Sequence, residues 1–143
     1  MIFDKSYVLE FMSRLLQVDS PTGYTHNAVK MVEDEANKLG YNMSRTKKGN
    51  GHIRAEGKNE KNIGVCAHID TLGLMVRSIK SNGALAFTLI GGPIVPRLDS
   101  EYCRIYTRDN KVYTGTVLSN SPAAHVFKDA KDRMRDAENM EIR

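Results

Sequence analysis

The sequence predicts an α/β chain: the front part of a layered α/β domain, then a small barrel-like unit of β-strands. Three observations lead there. Two segments with helical apolar spacing open the chain. The spacing then drops to two and runs into an almost unbroken apolar stretch, Ile63-Gly64-Val65-Cys66-Ala67. Beyond Gly73, short apolar segments alternate with turn-forming residues. Helices leading into a strand covered on both faces describe a layered α/β domain. A series of hairpins describes a separate β unit.

The first helix rests on Val8, Phe11, Met12, Leu15 and Leu16, which share one face at 3.6 residues per turn. Asp4 is placed to cap it, and Asp19-Ser20-Pro21 stops it. Ser20-Pro21-Thr22-Gly23 reads as a turn by composition. The second helix takes Thr22 or Thr25 as its cap. Ala28, Val32, Ala36 and Leu39 form its apolar stripe, and Gly40 ends it.

After Gly40, Tyr41 and Met43 alternate with polar neighbours. Lys48-Gly49-Asn50-Gly51 is a turn, Ile53 and Ala55 mark a short strand, and Lys58-Asn59-Glu60-Lys61 is a second turn. The apolar run 63–67 then fits a central strand buried on both faces. Further on, segments 74–80 and 84–90 flank Ser81-Asn82-Gly83, a strong hairpin signal. Gly91-Gly92-Pro93 and Pro96 break the chain. Segments 101–107 and 112–118 flank Arg108-Asp109-Asn110-Lys111, a second hairpin. In the charge-rich tail, Ala130, Met134 and Ala137 line a weak helical face on one reading; on the other the segment is mobile.

Composition narrows the function. The chain has 143 residues, 41% hydrophobic and 27% charged, as in a globular protein of one domain or two small ones. No apolar stretch has the length of a membrane span, and Asp4 and Glu10 in the opening segment argue against a leader peptide, so no membrane partner is expected. The net charge of +4 is mild and its basic residues are interleaved with Glu56 and Glu60; with no Trp to stack bases, nucleic acid is not an expected partner. Cys66 and Cys103 make no disulfide framework, which suits a reducing cytoplasm. Cys66, in the apolar run, is expected to pack as a small core residue.

Of the four histidines, His68 has the most suggestive setting. It follows the apolar run, and ligands of open α/β sheets bind beyond the carboxyl ends of strands. In an extended backbone His68 and Asp70 share a face, so the carboxylate can orient the imidazole of a metal ligand through its other ring nitrogen. The tripeptide His68-Ile69-Asp70 reads equally well as a polar break between two strands, and on these residues alone both readings stand. His26, His52 and His125 are expected at a helix start, a strand border and a loop. Phosphate-binding, dinucleotide and serine-hydrolase motifs are absent from the sequence.

Read in order, "SPTG", "GNGHI" and "GVCAHIDTLGLMV" resemble the M42 metallo-aminopeptidases, whose apolar strand continues as A-H-x-D-x-x-G-x-M-V. The segments "IKSNGALAFTLIGG", "RIYTRDNKVYTGTVLS" and "SPAAH" are similar to that family's inserted β-domain, in the same order. The resemblance implies a metallopeptidase fold: residues 1–72 as the N-terminal part of the α/β catalytic domain, and 73–143 as an incomplete, inserted β-barrel-like dimerisation domain. It implies two divalent metals, zinc or cobalt, with His68 as a ligand of one and Asp70 as the catalytic-site carboxylate behind it. It also implies a peptide substrate, cleavage at the free N-terminus, and a homo-oligomer assembled through the β-domain.

The sequence departs from the family pattern as well. Gly91-Gly92-Pro93 stands for the usual G-G-W, "LDSEYCRI" for a Gly-Gln-Arg stretch, and "SPAAH" for Pro-Pro-His. The remaining metal ligands and the general base that the family requires have no counterpart here. The chain is therefore expected to represent the N-terminal portion of such an enzyme, inactive alone and without a stably bound metal. The competing expectation is a non-catalytic interaction module derived from such an enzyme. A related dinuclear peptidase of the aminoacylase type fits less well, since its insertion is a helix-and-strand lid.

Overall fold

The computed structural model describes residues 4–58 and 61–143, which form two compact units divided between Leu72 and Gly73. The first unit opens with α1, Lys5–Leu16. Asp4 caps it as the sequence predicts, its carboxylate accepting the Tyr7 backbone N–H at 3.1 Å. The helix ends at Leu16, ahead of the predicted stop. Helix α2, His26–Lys38, takes Thr25 as its N-cap and buries Ala28, Val29 and Ala36.

Gly40, at φ +83°, closes α2 with a Schellman arrangement: its N–H reaches the Asn37 carbonyl and the Tyr41 N–H reaches that of Ala36. Polar contacts link the two helices, with Tyr7 Oη donating to Glu35 Oε1 at 3.0 Å and Arg14 Nη2 to Oε2 at 3.3 Å. Strand β1, Met43–Arg45, pairs antiparallel with β2, Gly51–Ile53. Strand β2 thus stops short of the predicted Ala55. The turn predicted at Lys58-Asn59-Glu60-Lys61 includes residues 59 and 60, which lie outside the described residues.

The apolar run 63–67 corrects the sequence reading. It forms no strand, and Ile63 and Val65 are each 91% exposed. Cys66 is exposed with them and is not a core residue. The physical reason is missing pairing. A central strand needs neighbours on both edges and layers on both faces, and among the described residues β1 and β2 pair only with each other.

The second unit is a five-stranded antiparallel sheet in the order β3-β4-β7-β6-β5. Its members are β3 (Gly73–Ile79), β4 (Leu85–Ile90), β5 (Tyr102–Tyr106), β6 (Val112–Ser119) and β7 (Met140–Ile142). A 3₁₀ turn, Val95–Leu98, links β4 to β5. Strands β3 and β5 are edges, so no barrel closes among the described residues. Phe87, Val117, Met140 and Ile142 form the core, with Leu74, Leu85, Leu89, Cys103 and Ile105 packed against it.

Both predicted hairpins form. Each closes a three-residue loop with a left-handed residue at its end, Gly83 in the first and Asn110 in the second. The Asn-Gly pair alone suggests a two-residue turn. The three-residue form places only Gly83 at positive φ and lets the Asn82 side chain accept the Ala84 N–H. A register shift between Val76 and Ser78 sets Arg77 out of the ladder, and its guanidinium forks onto Glu138 at 2.6 and 3.0 Å.

The tail is the largest departure. The predicted weak helix does not form there; the segment turns back and supplies β7, between β4 and β6. Met140, Glu141 and Ile142 are all buried. Their alternation is too short to register as a strand from sequence, and the partners that make it one lie more than twenty residues away. No helix among the described residues is long and apolar enough to cross a membrane.

Candidate metal centre

The connection between α1 and α2 runs beside residues 69–71. Pro21 and Thr71 form a parallel β-bridge. The Thr71 N–H donates to the Ser20 carbonyl at 2.8 Å, and Ser20 Oγ donates to the Ile69 carbonyl at 2.9 Å. Ser20 is almost fully buried, and this bond satisfies its hydroxyl. Proline at position 21 suits this bend because its fixed φ holds the chain extended next to the bridge.

Asp70 is held from both sides. Thr22 Oγ1 donates to Oδ2 at 2.6 Å, and His68 Nδ1 lies 3.1 Å from Oδ1. These two bonds, the threonine's first, hold the Asp70 carboxyl below its usual range against a weaker opposing effect of desolvation. An ionised carboxylate only accepts, and so does the Asp70 carbonyl oxygen 3.2 Å from the same ring nitrogen. Nδ1 of His68 therefore carries the proton in this geometry. In the neutral ring Nε2 then keeps its lone pair, and it has no protein partner among the described residues. The His68 side chain is 85% exposed.

A carboxylate on one ring nitrogen with the other open is the donor chemistry of a metal-binding imidazole. The residues present thus fit one ligand and the group that orients it. They do not make a complete metal site: no group of three or more His, Cys, Asp or Glu side chains stands together among the described residues.

The other sequence candidates fall elsewhere. His26 is the first residue of α2, with its ring edge-on to Tyr24 at 4.7 Å. His52 sits in β2 and is exposed. His125 lies in an exposed turn of the second unit. Half-buried Cys103 on β5 has its thiol pushed up by burial, which disfavours the thiolate. Ser20 and Thr22 are what sequence reasoning missed. Ser-Pro-Thr-Gly was legible as a turn, but hydroxyls at both ends of a proline bend also signal side chains placed to grip a neighbouring segment.

The chain is similar to known aminopeptidases in sequence and in fold. The YhfE protein of Bacillus subtilis (strain 168) is 38% identical over 136 residues, spanning 94% of this chain and 39% of that protein. The lysyl aminopeptidase of Pyrococcus furiosus is 30% identical over 125 residues, spanning 87% of this chain and 35% of that enzyme. The chain thus covers less than half the length of these relatives. The fold is that of a TET aminopeptidase from a marine sediment archaeon of the Thaumarchaeota, with a TM-score of 0.84 at 22% identity over 96% of this chain and 38% of that one. It is also that of the Pyrococcus horikoshii TET1 peptidase, with a TM-score of 0.74 at 20% identity over 94% of this chain and 39% of that one. The sequence model of the M42 glutamyl aminopeptidase family matches residues 49–143, a stretch that includes both His68 and Asp70. On that match the chain belongs to the M42 glutamyl aminopeptidase family.

Proposed function

We propose that this chain contributes to a metal-dependent aminopeptidase that removes N-terminal residues from peptides. In this reading His68 is a metal ligand and Asp70 is the carboxylate that orients it. The observation that carries the reading is the His68–Asp70–Thr22 arrangement, which leaves Nε2 of an exposed imidazole open.

A pair of divalent ions, zinc or cobalt, would supply Lewis-acid chemistry here: a water of lowered pKa and a polarised carbonyl. His68 would hold one of these ions through Nε2. Asp70 keeps the Nδ1 proton in place and raises the basicity of the ligating nitrogen. Catalytic zinc normally takes three protein ligands, and residues 1–143 offer one corner of such a site. In this reading they are inactive alone and hold no metal stably. Residues 1–72 belong to the layered catalytic domain and 73–143 to the inserted, barrel-like oligomerisation domain. The protein works in the cytoplasm, where Cys66 and Cys103 stay reduced.

The P. horikoshii TET1 peptidase assembles into a tetrahedron or a large octahedral shell. A homo-oligomer through the β unit is proposed here too. Exposed Met75 and Ile79 on edge strand β3, and Tyr102 on edge strand β5, support it.

The test is hydrolysis of a panel of aminoacyl substrates by a longer protein that carries these residues, with zinc or cobalt added. Metal-dependent release of N-terminal residues, abolished by a chelator and by His68→Ala, is expected. Absence of release across the panel, or full activity in H68A, refutes the reading. A second reading, a non-catalytic interaction module, draws on exposed Ile63 and Val65. Light scattering on the 143-residue chain tests it, and a clean monomer that binds no apolar dye rejects it.

A further inference from the structure

The Thr22 hydroxyl makes the shortest contact to Asp70, at 2.6 Å. It comes from the α1–α2 connection, far in sequence from His68. An aspartate has two torsions to fix. A single bond from His68 at 3.1 Å leaves the carboxylate able to rotate about its last torsion and release the ring. A second donor on the opposite oxygen removes that freedom. The backbone around it is already held by the Pro21–Thr71 bridge and the Ser20–Ile69 bond, so Thr22 Oγ1 approaches from a fixed position. Thr22 is exposed, and its methyl group is not part of a core, which leaves the hydroxyl as what the position contributes.

We propose that Thr22 is a positioning residue for the metal-ligand histidine: its hydroxyl locks the Asp70 carboxylate so that His68 keeps its proton on Nδ1 and presents Nε2. This rests on the reading of His68 and Asp70 given above. It adds a residue from a different segment of the chain, and it gives the Ser-Pro-Thr-Gly turn a part in the site. The hydroxyl is the operative group, so serine should serve and valine, of the same shape, should not.

The tautomer of His68 reports this directly, without metal or substrate. Long-range proton–nitrogen NMR on the 143-residue chain, above the ordinary titration range of imidazole, separates a protonated ring nitrogen from an unprotonated one. Wild type is expected to show His68 with a protonated Nδ1 and an unprotonated Nε2. In Thr22→Val the two nitrogen signals should move toward the averaged positions of a free imidazole, and in Thr22→Ser they should stay with wild type. Backbone amide signals outside residues 20–24 and 67–72 serve as the control for folding.

Wild-type signals already averaged would overturn the His68–Asp70 reading, and the Thr22 assignment with it. Wild-type signals as expected but unchanged in T22V would overturn the Thr22 assignment alone. General loss of amide dispersion in T22V, or averaged signals in T22S, would assign the residue to the fold and overturn the positioning role.

Discussion

Glu141 is the most exacting place to test how the second unit is held together. It lies on central strand β7 with 3% of its surface exposed. Its carboxylate accepts from Lys80 Nζ at 2.5 Å and from Arg143 Nε at 2.6 Å. Burial pushes its carboxyl up, but the bonds and charges of Lys80 and Arg143 outweigh that, and the group ends below the usual glutamate range. Glu141→Gln keeps the volume and removes the charge.

Breaking a buried pair costs about 3–5 kcal/mol when the surviving charge stays buried. Here the side chains of Lys80 and Arg143 are 32% and 44% exposed, so both cations recover water when the carboxylate is gone. That reduces the expected loss to about 1–3 kcal/mol. Because the folded state lowers this carboxyl, its contribution is fully present above the unfolded glutamate pKa. It is lost as pH falls through the folded value. The assay is urea unfolding followed by the methyl NMR signals of Val117 and Ile142, which report the second unit alone. E141Q should unfold at lower urea near neutral pH, and its deficit should shrink in acid. A deficit that stays constant with pH, or a variant as stable as wild type at neutral pH, would refute the charge-pair account.

Two further outcomes follow from other contacts. A Cβ on Gly115 would lie 2.7 Å from Ile142 Cγ2, 3.0 Å from the Arg143 carbonyl and 3.1 Å from Ile105 Cδ1; Gly115→Ala should cost about 1–3 kcal/mol by overpacking, read by the same urea midpoint. Asp4→Ala removes the cap of α1 and should destabilise that helix, seen as faster amide exchange in its first turn with the second unit unchanged.

Much of this architecture was legible one segment at a time. Asp4 before an apolar stripe, Gly40 after one, and Asn-Gly between alternating runs are local signals, because caps and turns are decided by residues a few positions apart. The motif around His68 was equally local, and its family resemblance agrees with the match over residues 49–143.

Two features lay beyond local reading. Residues 63–67 have the composition of a buried strand, yet they stand exposed, because strand formation depends on partners and not on the run itself. Residues 140–142 have no such signature, yet they fill the middle of a sheet. The same distinction holds at the candidate site. The sequence by itself determined that a histidine and an aspartate stand two residues apart after an apolar run. Only the tertiary structure brought Thr22 onto that aspartate, because a hydrogen bond between segments forty-eight positions apart depends on the path of the intervening chain.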